Sequence, residues 1–120
     1  MKARINTNVS AKSERIPRVI TFTDKAASAI NVDITDQYQL TAVAAATTTF
    51  TITGSGVAGQ HLLIRFKDAG VAKVIAWDAV FRAIGVVLPV ATIPNKTHYV
   101  GCDYNLTDSK WDIVAVGVEA

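Results

Sequence analysis

Apolar and polar side chains alternate at every second residue over most of the chain that follows Pro17. In the segment His61–Lys67, for example, Leu62, Ile64 and Phe66 share one side. A period of two residues places such side chains on one face of a β-strand. Segments of this kind recur about eight or nine times, separated by turn-forming residues, which is typical of a sandwich or barrel. The sequence therefore predicts an all-β, antiparallel β-sandwich.

A helical interpretation conflicts with the composition of the same segments. Ala42–Ala46 has high helix propensity, and Ala26–Ile30 could form one helical turn. However, Thr47-Thr48-Thr49 follows directly, and β-branched residues are frequent elsewhere. We expect at most one short helical turn.

The chain divides into an extended basic N-terminal arm, residues 1–17, and a β-sandwich domain, residues 18–120. Residues 1–25 carry a formal charge of +4 and residues 26–120 a charge of −2. A basic arm on a mildly acidic body suits an acidic partner surface, whereas a merely solvated terminus is the alternative. The basic residues are spread out, no aromatic residue precedes Phe22, and no groove-reading motif is present, so nucleic acid is not expected as the partner.

Length and composition limit the class of protein further. A chain of 120 residues, half of them apolar, suits one domain with one hydrophobic core. No apolar run reaches the roughly 18–20 residues of a membrane helix, and the N-terminus lacks the apolar stretch of a secretory signal. We therefore expect synthesis and folding in the cytoplasm without membrane contact. Cys102 is the only cysteine, which excludes an internal disulfide framework.

The last predicted strand is apolar on both faces, because the run Ile113–Val118 contains no polar side chain. A strand of a small sandwich normally has one solvated face, so we expect other copies of the chain to cover this one. The segment 81–90 is also unusually apolar for a rim. A larger core than expected is the alternative explanation. The residues assigned to the oligomer interface are Phe81, Ile84, Val86, Leu88, Val114, Val116 and Val118.

Residues suited to catalysis are few. His61 and His98 are the only histidines, and we expect both at the rim or surface. The segment Gly54–Gly59 has the glycine spacing of a dinucleotide-binding loop, but a strand follows it instead of the required helix, so turns explain these glycines better. Cys102 has no neighbouring His or Lys and is expected to be a buried structural thiol.

Two weaker possibilities concern ligands. Asp103, Asp108 and Asp112 surround one turn, but their spacing is not that of a tight calcium loop. The larger aromatic residues could line a sugar-binding face or serve as core and interface anchors. They are Trp77, Trp111, Tyr38, Tyr99 and Tyr104. We expect no catalytic residue, no metal and no cofactor.

Several stretches together resemble a module of tailed-phage virion structural proteins, found in tail fibres and other exposed particle proteins. The stretches are Asp36–Ala44, Gly59–Asp68, Trp77, Phe81–Gly85 with Leu88-Pro89, Lys96–Asn105 and Lys110–Val116. The likeness covers about residues 30–118. It implies a jelly-roll type of β-sandwich assembled around a threefold axis, with no active-site residues to transfer.

The chain lacks a fibrous shaft, a collagen-like repeat and coiled-coil heptads, so the resemblance favours a small attached protein over a complete tail fibre. We expect a non-enzymatic, homotrimeric capsid decoration protein on the outer surface of the virion, bound to the major capsid protein or a tail component. The residues assigned to anchoring are Lys2, Arg4, Lys12, Arg15 and Arg18. The alternative is a tail-fibre or adhesin tip that binds a host surface glycan or protein. A glycan hydrolase would need two carboxylates facing each other, and nothing in the spacing of the aspartates pairs them.

Overall fold

The computed structural model describes residues 16–120, which form nine strands and contain no helix that could cross a lipid bilayer. The strands are β1 Val19–Phe22, β2 Ala27–Asn31, β3 Gln37–Val43, β4 Thr47–Thr53, β5 His61–Asp68, β6 Val74–Trp77, β7 Phe81–Ala83, β8 Thr97–Asn105 and β9 Lys110–Val118. The all-β prediction is confirmed. The segment Ala26–Ile30, for which a helical turn was allowed, contributes to β2.

The strands form two sheets with a shared core between them. The large sheet has the order β1-β3-β5-β8-β9-β7, and the small sheet has the order β2-β4-β6. From β1 to β6 the chain passes alternately from one sheet to the other. Strands that lie two apart in sequence are therefore neighbours, and all four of these pairings are parallel. This winding is that of a β-solenoid.

The predicted antiparallel pairing is wrong for this part of the chain. Of the pairings between described strands, β5 with β8 and β8 with β9 are antiparallel, whereas the other five are parallel. The segment 68–70 is not a hairpin turn but a corner that leads from β5 in the large sheet to β6 in the small one. Alternation indicates which face a side chain occupies, but it does not indicate the direction of the neighbouring strand.

The core lies between the sheets and is built from the apolar halves of the alternating strands. Phe50 of β4 is at its centre, with ring centroids 4.9 Å from Trp77, 5.7 Å from Phe66 and 6.3 Å from Tyr38. The Tyr38 hydroxyl donates to Ser28 Oγ at 3.0 Å, so this polar atom is satisfied inside the core. Burial of such large side chains is the main force that holds the two sheets together.

The outward face of the small sheet carries small, uncharged side chains. Ala27 and Ala29 of β2, Thr49 and Thr51 of β4, and Ala76 of β6 lie side by side there. Threonine suits an extended backbone because its branched side chain fits the pleated surface. The mixture of buried apolar and outward small polar residues is what gives these parallel strands an alternating sequence.

Candidate functional site

Four exposed aliphatic side chains lie on the segment between β7 and β8. They are Ile84, Val87, Val90 and Ile93, called here the apolar strip. Val87 is 85% exposed and Val90 is 68% exposed. Exposed aliphatic residues grouped on one segment are typical of an interaction surface, whereas scattered single ones need no explanation.

The backbone of the apolar strip is held to the rest of the fold at several points. The amide of Ile84 donates to the carbonyl of Ile113 in β9 at 2.9 Å. The indole Nε1 of Trp77 donates to the Pro89 carbonyl at 2.7 Å. The segment therefore presents its aliphatic side chains from a fixed backbone, because hydrogen bonds restrain it at its start and in its middle.

The residues assigned to the oligomer interface occupy three different environments. Three are exposed: Ile84, Val114 and Val118. Three are half-buried against the core: Val86, Leu88 and Val116. Phe81 is only 6% exposed and packs edge-on against Trp77 at 5.1 Å, so it is a core residue and its assignment to a surface is corrected.

A β-bulge in β9 changes which side its apolar side chains face. Cys102 pairs with Ile113 and Gly101 pairs with Ala115, so Val114 is an extra residue in a β-bulge. The bulge turns the exposed Val114 out of the ladder, while Ile113 stays in the core. In the single chain, apolar side chains of β9 thus remain in solvent on both faces.

Of the arm residues assigned to anchoring, Lys2, Arg4, Lys12 and Arg15 lie outside the described residues. Arg18 is described, and its guanidinium makes a bidentate pair with Asp36, with Nη2 to Oδ1 at 2.9 Å and Nε to Oδ2 at 3.1 Å. This pairing lowers the pKa of Asp36, although partial burial opposes the shift. Arg18 therefore fixes the start of β1 to the domain.

A cleft of about 990 Å³ opens on the outer face of the large sheet, called here the outer-face cleft. Leu63, Gly101 and Val114 contribute to its surface. His61 and Asp103 stand at one side, with His61 Nε2 4.0 Å from Asp103 Oδ1, and His61 is an exposed residue as expected. The cleft combines apolar and polar lining, which suits a ligand with both kinds of surface. The residues that line it are too far apart in the chain for the cleft to be predicted from their spacing.

Polar side chains form a ladder across the same outer face. The amide of Gln39 donates to Thr21 Oγ1 at 2.8 Å, and the guanidinium of Arg65 donates to Gln39 Oε1. Arg65 also lies over the ring of Tyr99, 5.8 Å from its centroid. Tyr99 is thus an exposed aromatic residue with a cation held against it.

The other candidate sugar-binding aromatics are elsewhere. Trp77 is stacked on Phe50 inside the core, on the opposite side of the large sheet from Tyr99. Tyr104 packs against Trp111 at 4.9 Å, and a Cβ added to Gly56 would meet the Tyr104 ring at 2.8 Å. These aromatic residues anchor the interior, and they do not form one sugar-binding face with Tyr99.

A buried polar cluster joins β5, β8 and the turn before β8. The carboxylate of Asp68 accepts hydrogen bonds from the Thr92 hydroxyl at 2.7 Å and from the amides of Gly70 and Asn95, both at 2.9 Å. Burial raises the pKa of Asp68, but these hydrogen bonds and the nearby His98 outweigh it, and the net shift is downward. Asp68 continues the inward series Leu62, Ile64 and Phe66, which is the signal that could have predicted its burial.

His98 belongs to this cluster and is 1% exposed, so its predicted surface position is wrong. Its Nε2 accepts a hydrogen bond from the Ile93 amide at 3.0 Å, and its ring is stacked on Phe66 at 4.9 Å. Burial lowers the pKa of His98, while the charge of Asp68 opposes that shift. The position of His98 near a turn in the sequence suggested the rim. The residue instead lies on the side of β8 that faces the core.

The remaining candidate residues have structural contacts. Arg82 donates to Asp112 at 2.8 Å and to Asp108 at 3.0 Å, which lowers the pKa of Asp112. Cys102 is buried as predicted, and burial raises its pKa to about 12. Within residues 16–120, no three His, Cys, Asp or Glu side chains form a group that could hold a metal ion.

A scan against protein-family models found no match to the chain, and a search of the curated proteins found none either.

Proposed function

We propose that this protein is a non-enzymatic structural subunit of a phage particle, homotrimeric and attached to the virion surface through its basic arm. The observation that carries the proposal is the apolar strip together with the exposed side chains of Val114 and Val118 in β9. Fully burying an exposed aliphatic side chain contributes about 1.5–3 kcal/mol, and these side chains are from about half to mostly exposed, so covering them together with other copies would favour assembly.

Charge distribution supports the attachment. The arm contains most of the excess positive charge, and Arg18 ties the point where the arm meets the domain to Asp36. Within the described residues, no strand pairs with the outer edges of β1 and β2. An open strand edge accepts another chain readily, so a particle protein can add both charge contacts and backbone hydrogen bonds at this end.

Replacing Lys2, Arg4, Lys12 and Arg15 together by glutamine in the full chain is expected to weaken binding to purified particles at least about tenfold. Each lost surface charge costs a fraction of a kcal/mol, and the loss is repeated in three subunits. Co-sedimentation with particles at two salt concentrations measures it. The matched control replaces Lys67, Lys73, Lys96 and Lys110, and a similar loss in that control would contradict the role of the arm.

Replacing Val87 by lysine is expected to raise the concentration at which the trimer half-dissociates by at least about a hundredfold. An ammonium group in an apolar interface is costly, and every 1.4 kcal/mol is about a tenfold change. Sedimentation velocity over a concentration series measures this. Ile34→Lys is the control, because Ile34 is also an exposed aliphatic residue but lies between β2 and β3, outside both the apolar strip and the outer-face cleft. Equal dissociation of both variants would argue against the apolar strip as part of the contact between subunits.

A second function, glycan binding by an adhesin tip, is favoured by the outer-face cleft. Its mixed lining offers apolar contact and hydrogen bonding to a sugar, and Tyr99 with Arg65 lines a separate, smaller pocket of about 230 Å³ that could add a stacking surface. The distinguishing observation is a glycan array probed with the full chain. Saturable binding to one glycan class would favour this function, whereas binding to particles without any glycan signal favours the structural role.

A further inference from the structure

One hydrogen bond links His98 to the C-terminal end of the apolar strip. Its Nε2 accepts the hydrogen bond from the Ile93 amide, so this nitrogen carries no proton in the structure. The proton of the neutral ring is then on Nδ1, which is buried without a hydrogen-bond partner among the described residues. The hydrogen bond to Nε2 therefore favours the neutral tautomer of the ring that carries its proton on Nδ1.

Protonation of the ring would change one contact directly. A proton on Nε2 would face the Ile93 N–H, and two donors cannot form a hydrogen bond. The amide of Ile93 would lose its acceptor, and a buried charge would appear beside Phe66. Neighbouring restraints do not involve His98: the Thr92 amide donates to the Lys73 carbonyl at 2.8 Å, and the Ile93 carbonyl accepts from the Lys96 amide at 3.0 Å. The change is thus expected to be local.

We propose that His98 is an acid-sensitive residue that holds the Ile93 amide, at the end of the apolar strip, when its ring is neutral and releases this amide when the ring is protonated. As a regulation of subunit assembly, this rests on the proposed homotrimer. The release of the Ile93 amide itself does not depend on any oligomer. His98 acts here as a positioning residue.

The charged groups around His98 set the pH range. Asp68 of β5 faces the ring and opposes the effect of burial on its pKa, which remains lowered. The other charged groups of the adjoining elements have contacts elsewhere: the ammonium of Lys96 donates to the Ala120 carbonyl, and the carboxylate of Glu119 accepts from the Thr97 amide. Lys67 pairs with Thr97 on the opposite face of the sheet.

The sign of the pH dependence follows from the lowered pKa. In the unfolded chain, or in a released state in which the ring reaches solvent, His98 binds a proton at about pH 6.5, whereas the fixed state binds it at lower pH. The free energy difference that favours the fixed state is therefore largest above about pH 6.5, and it decreases as the pH falls below that value. Asp68 keeps its charge in this window because its pKa is lowered from 3.8.

The test compares amide hydrogen exchange of Ile93 in the full chain between pH 7.5 and pH 4.5, corrected for the intrinsic rate. We expect the protection of the Ile93 amide to fall at least about tenfold on acidification. The reason is that the neutral fraction of His98 in the released state falls tenfold for each pH unit below about 6.5. His98→Gln retains an acceptor that does not titrate, so its protection should change less than about twofold. His61→Gln, at an exposed histidine, should behave like the unaltered chain.

Two further measurements keep the outcomes distinct. If His98→Gln does not fold, the ring ¹⁵N shifts of the unaltered chain report directly whether Nε2 is unprotonated at pH 7.5, and a proton on Nε2 at that pH would overturn the inference. Light scattering over the same pH range follows the oligomer. A stable trimer whose Ile93 protection does not change with pH contradicts only the proposed role of His98. A monomer at every pH, with acid-sensitive Ile93 protection, contradicts only the proposed trimer.

Discussion

Replacing Asp68 by alanine is expected to lower the free energy of unfolding by about 3–5 kcal/mol. The variant would leave the Thr92 hydroxyl and the amides of Gly70 and Asn95 buried or half-buried without their acceptor. These three donors hold two turns against β5, so their loss also loosens the segment that carries the apolar strip. Urea denaturation at pH 7, followed by tryptophan fluorescence, measures the effect.

Two companion variants separate the cause. Asp68→Asn keeps one oxygen for the two amides and should cost only about 1–2 kcal/mol, because the Thr92 hydroxyl can reorient. Asp24→Ala, at an exposed aspartate, should change stability by less than about 0.5 kcal/mol. A loss at Asp68 no larger than that at Asp24 would contradict the buried cluster.

The same carboxylate gives stability a defined pH dependence. Because the folded-state pKa of Asp68 is lowered, its contribution is present above the usual carboxyl pKa of about 3.9 and is lost as the pH falls through the lowered value. The unaltered chain should therefore lose more stability between pH 4 and pH 2.5 than Asp68→Asn does. Equal slopes for the two proteins would show that Asp68 is not the group responsible.

Replacing Phe50 by alanine is expected to cost about 3–5 kcal/mol, the range for a large aromatic side chain removed from a packed core. Phe50 is fully buried and contacts rings from both sheets, so the cavity would weaken the packing between the two sheets. Phe50→Leu should cost roughly half as much, since it refills part of the volume. Urea midpoints measure both, and a cost of less than about 1 kcal/mol for alanine would show that the aromatic cluster does not hold the sheets together.

The residues that face the core could be predicted from the sequence, whereas the pairing of the strands could not. Alternation correctly places Leu62, Ile64 and Phe66 inward, and it also places Asp68 inward, where hydrogen bonds satisfy its carboxylate. Parallel strands usually show continuous apolar runs because helices cover both of their faces. Here the outer faces carry polar residues such as Gln39 and Arg65 or small ones such as Ala27, so the pattern imitates an antiparallel sheet.

The winding also leaves no regular repeat in the sequence. Val19 pairs with Gln37, 18 residues later, but Gln37 pairs with Leu63, 26 residues later. In the small sheet the steps are 22 residues from Ala27 to Thr49 and 27 from Thr47 to Val74. A fixed period is the signal by which solenoids are recognised, and corners of unequal length remove it.

The candidate surfaces were predictable to different degrees. The double-sided apolar character of β9 is visible in its sequence, but the bulge at Val114 and the burial of Phe81 depend on tertiary packing. The outer-face cleft and the contact between His98 and Ile93 join elements that are distant in sequence or differ in direction. Such juxtapositions arise only from the winding of the chain between the sheets.

Multi-angle light scattering of the full chain at pH 7.5, from low micromolar concentration upward, tests directly whether sister subunits cover β9 and the apolar strip. We expect a mass three times that of the 12.8 kDa chain, unchanged on dilution to about 1 μM. A stable monomer at all concentrations, with Val87, Val114 and Val118 left in solvent, would contradict the trimer and the particle role built on it.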